Sequence, residues 1–504
     1  MSKALMIQGT GSGVGKSIIV MALCRIFAGR NIKVSPFKAQ NMALNSFITK
    51  EGGEIGRAQA LQAEAAAIEP SVHMNPILLK ASGENGSQVI LQGKVHSNMS
   101  AKSYYKFRDT AWEIVKDSYN KLKNKYDLII LEGAGSPAEI NLIDVDIVNM
   151  KMARHAKSPV LLVGDIDRGG VFASLYGTFK LVGSDKKRIK GFIINKFRGD
   201  LDILKSGLDM IDQMTERKVI GVLPFIDNFS LPEEDGLSLK REGKKFFKDR
   251  DKIKIVVIAL KYIANFTDFD PFIYEPDVEL IYSLNSDDIE NAHLIIIPGS
   301  KNTVKDLLYI RKLGVEDSII RAFNKGISII GICGGYQMLG QVIKDPYLIE
   351  SNQKEIDALG LLEIETVFKD QKTTCQLKAE ISDIKAIDEI TYNYAPSSLR
   401  GYEIHMGESY GDIGIFQINR YGKERELIKD GSINKNCWGT YIHGLFENDD
   451  FRRSLLNKIR TKRGFEPISE RINYKLIKDD KINKIASVVE SNLQMSYLEE
   501  LVNL

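Results

Sequence analysis

The sequence has few cysteines, no long apolar run and little net charge, and each absence narrows the class of protein. No two of its cysteines form a Cys-x-x-Cys pair, so we expect neither a disulfide framework nor a zinc site, and the thiols should stay reduced. The 504 residues include four cysteines: Cys24, Cys333, Cys375 and Cys437.

No apolar stretch approaches the roughly 20 residues that a membrane-spanning helix needs. Met-Ser-Lys at the start leads directly into an apolar segment, which leaves no room for a signal peptide. The net charge of +3 is too weak a bias to argue for a nucleic acid or a membrane surface. The sequence therefore predicts a cytoplasmic globular protein of two or three domains, without nucleic-acid or membrane partners.

What is present begins with a glycine-rich loop near the start of the chain. It follows the apolar run Ala4–Ile7 and precedes a helical pattern that begins at Ile18. Strand, loop and helix form the setting of a phosphate-binding loop, in which backbone N–H groups and the helix N-terminus attract phosphate oxygens. We expect the lysine to reach the β- and γ-phosphates and the serine to ligate Mg²⁺. The predicted ATP-binding residues of the loop are Gly9, Thr10, Gly13, Gly15, Lys16 and Ser17.

The spacing of this loop departs from the standard pattern, since five residues rather than four separate Gly9 from Gly15. In this respect the loop resembles that of dethiobiotin synthetase and its relatives. A glycine-rich turn without a ligand is the alternative interpretation. The agreement of strand, loop, Gly-Lys-Ser and helix favours phosphate binding.

Residues 1–230 alternate short apolar segments with helical patterns, which predicts an α/β doubly wound domain with a mostly parallel sheet. Ligands of such domains bind at the carboxyl ends of the strands. The predicted strands are Ala4–Ile7, Lys33–Pro36, Leu128–Glu132, Val160–Val163 and Gly191–Asn195.

Polar side chains follow several of these strands. Glu132 ends one strand and is a candidate Mg²⁺ ligand beside Ser17. Asn195 is a candidate ATP-binding residue, and Lys38 is a candidate for the side of the substrate carboxylate that ATP activates. Asp146 is a weaker candidate for that side. For each of these residues, a helix cap or an ordinary loop hydrogen bond is the alternative.

A second doubly wound α/β domain is predicted over residues 252–450. A charged linker at 231–251 precedes it, and a helical extension over 451–504 follows it. Four apolar residues of the extension recur at helical spacing and predict packing against the body of the protein, namely Ile482, Ile485, Val489 and Leu493.

The second domain contains an apolar strand that runs into Gly-Ile-Cys333-Gly334-Gly and then a helix. This pattern is typical of a nucleophile elbow, here with a thiol as nucleophile. The N–H of Gly334 and that of Gly299, which ends another apolar strand, are candidate oxyanion donors. His443 is the predicted base, with His405 as its rival. The alternative for Cys333 is an inert buried thiol.

These segments resemble the class I glutamine amidotransferases of the cobyrinate-amidating type. Over residues 1 to about 450, the chain is similar to the cobyric acid synthases. Besides the glycine loop and the Cys333 and His443 segments, the resemblance rests on Lys38–Asn45, Met74–Lys80, Glu132–Asn141, Asp165–Phe172, Asn195–Asp200, Pro298–Thr303 and Gly401–Gly407.

The resemblance implies a Mg-ATP- and glutamine-dependent ligase that amidates the b, d, e and g carboxylates of the corrinoid adenosylcobyrinic acid a,c-diamide. By the same resemblance, Cys333 forms a glutamyl thioester and releases ammonia, while His443 relays protons. ATP phosphorylates a substrate carboxylate, and ammonia displaces the phosphate. Many relatives carry Glu two residues after the His, where this chain has Leu445. A third catalytic residue is therefore in doubt, and Glu447 is only close in sequence.

Two other interpretations remain open at this point. Cobyrinic acid a,c-diamide synthases share both domain types but amidate two other carboxylates. A ParA-like ATPase switch, which binds partners without amidation, would account for the glycine loop but has no use for Cys333 and His443. The sequence says nothing about the oligomeric state.

Overall fold

The computed structural model describes residues 2–83, 86–226, 252–394, 398–422 and 427–504. In these residues the chain forms two α/β units, each built on a parallel or mostly parallel sheet, and a helical C-terminal segment. The predicted fold class is thereby confirmed. The predicted linker at 231–251 lies outside the described residues, and the predicted domain limits stay predictions.

The strands and helices of the first unit lie between residues 3 and 224. The strands are β1 (Lys3–Gly9), β2 (Val34–Phe37), β3 (Gln40–Met42), β4 (Ser46–Ile48), β5 (Glu54–Gly56), β6 (Ile77–Gly83), β7 (Gly86–Leu91), β8 (Lys94–Met99), β9 (Leu128–Glu132), β10 (Val160–Asp165), β11 (Ile189–Phe197) and β12 (Lys218–Pro224). The α-helices are α1 (Lys16–Gly29), α2 (Arg57–Ala65), α3 (Ala101–Lys123), α4 (Met150–Ala156), α5 (Val171–Leu181) and α6 (Leu201–Thr215).

The main sheet of this unit is parallel, in the order β12-β11-β10-β1-β9-β2. Its central strands β1, β9 and β10 consist mostly of buried apolar residues, because helices cover both faces. Along β1, Met6 packs on one face while Leu5 and Ile7 pack on the other, as the two-residue period of a strand requires. This order brings the ends of β2, β9, β1, β10 and β11 together at one edge.

Beside the main sheet lie a four-stranded sheet in the order β3-β6-β7-β8 and a hairpin of β4 and β5. The sequence did not reveal these strands, because several contain three residues and carry polar side chains. In the chain these strands lie between β2 and α3. They supply much of the surface that meets the second unit.

The second unit follows from residue 253. Its strands are β13 (Ile253–Ile258), β14 (Val278–Ser283), β15 (Leu294–Ile297), β16 (Ser328–Ile332), β17 (Val342–Lys344), β18 (Glu355–Asp357), β19 (Ile364–Ile381), β20 (Leu399–Gly411), β21 (Phe416–Arg420), β22 (Leu427–Asp430), β23 (Ser432–Asn434) and β24 (Cys437–Thr440). Its α-helices are α7 (Asp270–Ile273), α8 (Ser286–Glu290), α9 (Thr303–Lys312), α10 (Val315–Asn324), α11 (Gly334–Leu339), α12 (Ile384–Ile390) and α13 (Asp449–Lys462).

The main sheet of the second unit has the order β14-β13-β15-β16-β24-β23, in which only the β23–β24 pair is antiparallel. A second sheet packs beside it in the order β18-β17-β19-β21-β22, with the long strand β20 paired to β19. Phe451 and Leu455 place α13 in the core of this unit.

After α13 the chain returns to the first unit through α14 (Tyr474–Asn492) and α15 (Met495–Val502). The predicted apolar stripe of α14 is buried against α1 and the face of the main sheet that carries Leu5. Arg25 of α1 and Arg30, directly after α1, form ion pairs with Asp479 and Glu490 of α14. None of the helices in the described ranges is long and apolar enough to cross a membrane.

Candidate active site

Four neighbouring strands of the second unit bring a set of polar groups to one edge of its sheet. Parallel strands end on the same side, and the order β13-β15-β16-β24 places the residues after each strand side by side. These residues are Asp268 after β13, Gly299 after β15, Cys333 after β16 and His443 after β24. Three of them were predicted from the sequence as site residues, but Asp268 was not.

Cys333 lies in a strained turn, with φ 53° and ψ −108°, between β16 and α11. Small neighbours make the turn possible, because a Cβ at Gly335 would lie 1.9 Å from the carbonyl oxygen of Ile297. The thiol is buried, and its Sγ lies 3.4 Å from the carbonyl oxygen of Ile404. This is the geometry of a nucleophile elbow, in which backbone strain holds a reactive side chain at the edge of a sheet.

The His443 imidazole lies between Asp268 and Cys333. Its Nδ1 is 2.6 Å from Oδ2 of Asp268, and the second carboxylate oxygen accepts a hydrogen bond from the N–H of Gly444 at 3.1 Å. Burial lowers the pKa of His443, but Asp268 and Cys333 outweigh it and raise the pKa to about 10. The three residues therefore have the arrangement of a Cys–His–Asp triad, and these neighbours favour an imidazolium next to the sulfur. The catalytic roles of Cys333 and His443 stay predictions.

The two predicted oxyanion glycines lie beside this triad. A Cβ at Gly299 would be 3.2 Å from Cε1 of His443 and 3.8 Å from Cβ of Cys333. A Cβ at Gly334 would be 2.9 Å from the backbone nitrogen of Ser300. The loops after β15 and β16 therefore touch next to the sulfur, where two N–H donors are needed to stabilise an oxyanion. The donor role of both glycines stays a prediction.

His405, the alternative base, and Glu447, the acidic residue close to His443 in sequence, both have other partners. His405 stacks on Tyr441, with ring centroids 3.9 Å apart, and its ring nitrogens lie 2.7 Å from the carbonyl oxygen of Gly407 and 3.3 Å from Glu403. Glu447 pairs with Arg57 of the first unit at 3.0 Å. Neither residue contacts His443 in the way that Asp268 does.

A second centre lies at the edge of the first unit's main sheet, around the glycine loop between β1 and α1. Gly13 and Gly15 have positive φ angles of 72° and 100°, which L-residues with side chains rarely adopt. Lys16 folds over the loop, and its Nζ donates to the carbonyl oxygens of Gly11 and Gly135 at 2.7 and 3.2 Å. The Thr10 N–H donates to Val163 in β10, so that this N–H anchors the loop to the sheet.

Glu132, at the end of β9, contacts three side chains of this centre. One of its carboxylate oxygens lies 2.8 Å from Oγ of Ser17 and 2.9 Å from Nζ of Lys38, and the other accepts from the Gln62 amide at 2.6 Å. Burial raises the pKa of Glu132, but Lys38 and the hydrogen bonds outweigh it, so the pKa lies below its usual value. Gln62 was missed from the sequence, because its helix α2 offers no motif.

The oxygens of Ser17 and Glu132 suit Mg²⁺, which prefers hard donors and takes one or two protein oxygens beside substrate phosphates. Within the described residues, no group of three or more His, Cys, Asp or Glu side chains could hold a metal by itself. A magnesium ion here would therefore complete its shell with nucleotide and water oxygens.

Asn195 and Asp146 have structural partners near this centre. The Asn195 amide donates to the carbonyl oxygen of Val14 in the glycine loop at 2.8 Å, so it sits where a nucleotide-contacting side chain is expected. The Asp146 carboxylate accepts from the N–H groups of Val148 and Asn149 at 2.7 and 3.2 Å, just before α4. Burial raises the pKa of Asp146. The functional roles of both residues stay predictions.

The segment Lys38–Asn45 joins the two centres. It begins at Lys38, which pairs with Glu132, and ends at Asn45, whose Oδ1 accepts from the N–H of Phe266 at 3.0 Å. Phe266 belongs to the same short helical turn, Phe266–Phe269, as Asp268. The orientation of the His443 partner therefore depends on a contact from the other unit.

A buried charge cluster lies across the same interface. Glu54 of β5 accepts from Lys80 of β6 at 2.8 Å and from Lys372 of β19 at 2.6 Å, and all three side chains are at most 8% exposed. Lys80 and Lys372 also line the cavity in front of Cys333. Through Lys80, the first unit thus forms part of the wall of the cavity that Cys333 and His443 line.

Comparisons with known proteins match the two units of the chain to two families of domain. Residues 5–239 match the family model described as the CobQ/CobB/MinD/ParA nucleotide binding domain. Residues 254–451 match the model described as the CobB/CobQ-like glutamine amidotransferase domain. The glycine loop and Glu132 lie in the first match, and the triad lies in the second.

Several curated proteins are similar to this chain over their whole length, and the three that follow are each named cobyric acid synthase. The protein of Thermodesulfovibrio yellowstonii is 48% identical over 504 residues, which is 100% of both chains. Those of Caldanaerobacter subterraneus subsp. tengcongensis and Thermoanaerobacter sp. are 47% and 48% identical, over 100% of this chain and 99% of theirs. With both domain models matched in order and relatives of this identity along the full length, the chain belongs to the cobyric acid synthase family.

Proposed function

We propose that this protein amidates the b, d, e and g carboxylates of adenosylcobyrinic acid a,c-diamide to give adenosylcobyric acid, in cobalamin biosynthesis. Glutamine supplies the nitrogen and ATP supplies the activation. The observation that carries the proposal is the pairing of a Cys–His–Asp triad with a phosphate loop across one buried interface. An a,c-diamide synthase or a ParA-like switch is less consistent with relatives that are named cobyric acid synthase along their full length.

In the glutaminase half, the Cys333 sulfur attacks the amide carbon of glutamine. The His443 imidazolium donates its proton to the departing nitrogen, and ammonia leaves a glutamyl thioester behind. Water then attacks the thioester, with His443 as base, and glutamate is released. Asp268 holds the imidazole in place and stabilises its positive charge, while the N–H groups of Gly299 and Gly334 would bind the oxyanion.

In the synthetase half, a substrate carboxylate attacks the γ-phosphate of ATP. Lys16, the glycine loop and the N-terminus of α1 offset the charge of the phosphates. Ser17 and Glu132 would hold Mg²⁺, which neutralises phosphate charge during transfer. The resulting acyl phosphate has a good leaving group, and ammonia displaces it to form the amide. Lys38, which pairs with Glu132, would bind the carboxylate under attack.

The proposal also accounts for the tight interface. Ammonia is largely protonated in water at neutral pH and is then not a nucleophile, so it has to travel between the centres without release. Lys80 of the first unit lines the same cavity as Cys333 and His443, so the first unit borders the point where ammonia would form. The contact between Asn45 and Phe266 keeps the two centres in a fixed relation.

The test is a product assay by mass spectrometry with adenosylated cobyrinic acid a,c-diamide, glutamine and Mg-ATP. Four successive amidations are expected. No product from this substrate, with cobyrinic acid accepted instead, would favour an a,c-diamide synthase. ATP hydrolysis without any amidation or glutamine hydrolysis would favour a switch.

Variants separate the two halves in the same assay. Cys333→Ala should lose amidation from glutamine but keep it from free ammonia at alkaline pH, whereas Lys16→Met should lose amidation from both sources and keep glutamine hydrolysis. Cys375→Ala is the matched thiol control, since Cys375 is partly exposed and distant from the triad in the chain. For the weaker candidate, unchanged corrinoid turnover in Asp146→Asn would remove Asp146 from the substrate side.

A further inference from the structure

The cavity in front of Cys333 contains more charge than amide hydrolysis needs. Its lining includes Lys80, Lys301, Lys372 and Glu350, besides Cys333 and His443. The reacting amide of glutamine is neutral, so Cys333 and the oxyanion donors do not explain these charges. Two of the three lysines, Lys80 and Lys372, already form ion pairs with Glu54.

Lys301 differs from the other two lysines. It is partly buried, and within the described residues its ammonium group has no hydrogen bond or ion pair. Burial lowers the pKa of Lys301, while Glu350 acts in the opposite direction. A cation that is removed from water and left without an anion is costly, unless a ligand supplies the anion.

Glu350 is the acidic counterpart on the same cavity wall. One of its oxygens accepts from the N–H of Thr303 at 2.6 Å, and the Asn302 amide donates to the Glu350 carbonyl oxygen at 3.1 Å. Burial raises the pKa of Glu350 to about 7, although Lys301 lowers it. An additional cation next to this carboxylate would keep it ionised.

Both groups are fixed by the loop that carries one oxyanion glycine. Lys301 follows Gly299 by two residues, and Thr303, which holds Glu350, begins α9 two residues later. Gly299 borders Cys333, so this loop extends from the sulfur toward the side chains of Lys301 and Glu350. In glutamine, three bonds separate the reacting carbon from the α-carbon, which bears one carboxylate and one ammonium group.

We infer that Lys301 binds the α-carboxylate of glutamine and Glu350 binds its α-ammonium group, so that this pair selects a free amino acid as nitrogen donor. The inference rests on the proposed glutaminase function. It assigns no bond-making step to either residue, since both act on the part of glutamine that does not react. Amides without a zwitterionic head should therefore be poor substrates.

The test measures hydrolysis of three amides by the full chain. These are glutamine, glutaramate, which lacks the α-ammonium group, and the amide of γ-aminobutyrate, which lacks the α-carboxylate. Lys301→Met should lower kcat/KM for glutamine roughly 10- to 100-fold, mainly through KM, because a hydrogen bond to a charged group is lost. The same substitution should lower kcat/KM for glutaramate by a similar factor and leave kcat/KM for γ-aminobutyramide unchanged.

Glu350→Gln should show the opposite pattern, with a loss for γ-aminobutyramide and none for glutaramate. Lys301→Arg should restore most of the activity toward glutamine, since the cation is kept. Lys305→Met is the matched control, because Lys305 is exposed in α9, directly after the loop, and its substitution should change none of the three rates. Equal losses for all three amides in Lys301→Met would overturn the inference and indicate a purely structural role.

Ammonia-supported amidation of the corrinoid separates this inference from the proposed function. The rate of this amidation should be unchanged in Lys301→Met and Glu350→Gln. If Lys301→Met loses ammonia-supported amidation, the variant is misfolded, and Lys301→Gln takes its place in the test. If the unmodified protein hydrolyses no glutamine, the proposed function and the inference both fail. If it hydrolyses glutamine and the variants show no dependence on the missing head group, only the inference fails.

Discussion

Asp268→Asn tests the role of the residue that orients His443. The Asp268 carboxylate is buried, and its oxygens lie 2.6 Å from Nδ1 of His443 and 3.1 Å from the Gly444 nitrogen. Asparagine has nearly the same shape and can still accept a hydrogen bond through its one carbonyl oxygen, but it carries no charge. The substitution should therefore remove charge stabilisation while it leaves the packing intact.

The size of the effect follows from that contact. A hydrogen bond to a charged group contributes roughly 1.5–3 kcal/mol, which corresponds to a loss of about 10- to 150-fold in kcat/KM for glutamine. The pH profile should change as well. The carboxylate contributes to a His443 pKa of about 10, so its removal lowers that pKa. Because the imidazolium is lost as pH rises through its pKa, the alkaline limb should move to lower pH.

Glutamine hydrolysis as a function of pH is the assay, with ammonia-supported amidation as the measure of an intact synthetase half. Asp270→Asn is the matched control. Asp270 lies two residues away, and burial raises its pKa to about 8, so at pH 7 its carboxyl is largely neutral and resembles an amide. The control is therefore compared at pH 7, where its rate should be unchanged. An unchanged alkaline limb and an unchanged rate in Asp268→Asn would refute the triad and leave Cys333 and His443 as a dyad.

Three further predictions concern other parts of the molecule. Glu132→Gln should raise the Mg²⁺ concentration that half-saturates amidation by roughly tenfold or more and leave glutamine hydrolysis intact; an unchanged Mg²⁺ titration would remove Glu132 from the metal site. Asn45→Ala leaves the Phe266 N–H without its acceptor, so more than one glutamine should be hydrolysed per amide formed; a ratio that stays at one would show that the contact does not couple the centres. Ile485→Ala should lower the free energy of unfolding by about 2–5 kcal/mol in denaturant titrations, whereas exposed Lys484→Ala should change it little; equal values would contradict the burial of α14.

Local backbone geometry explains why much of both centres was visible in the sequence. The glycine loop and the Cys333 elbow need particular φ angles and close approaches that only glycine permits. Both segments could therefore be recognised in the sequence from their glycines. Parallel strands buried on both faces are equally visible as apolar runs, which is why β1, β9 and β10 could be predicted. The residues that follow such strands then meet by topology alone.

The contacts that the sequence did not reveal join distant parts of the chain. Asp268 and His443 are 175 positions apart, and no local pattern marks Asp268 over Asp270. Strands β3, β4 and β5 are three residues long, so no periodicity could develop. The apolar stripe of α14 could be recognised, but its partner α1 lies more than 450 positions earlier, as the Arg25–Asp479 pair illustrates.

The return of α14 and α15 to the first unit means that the chain crosses between the two units twice. A single cut between residues 226 and 252 would therefore not free one unit from the other. The later fragment would still carry Ile482, Ile485 and Val489, which complete the hydrophobic core of the earlier one. Two polypeptides divided at that point would share one core and recognise each other by folding together, and the second would carry a part of the nucleotide-binding unit as its own docking element.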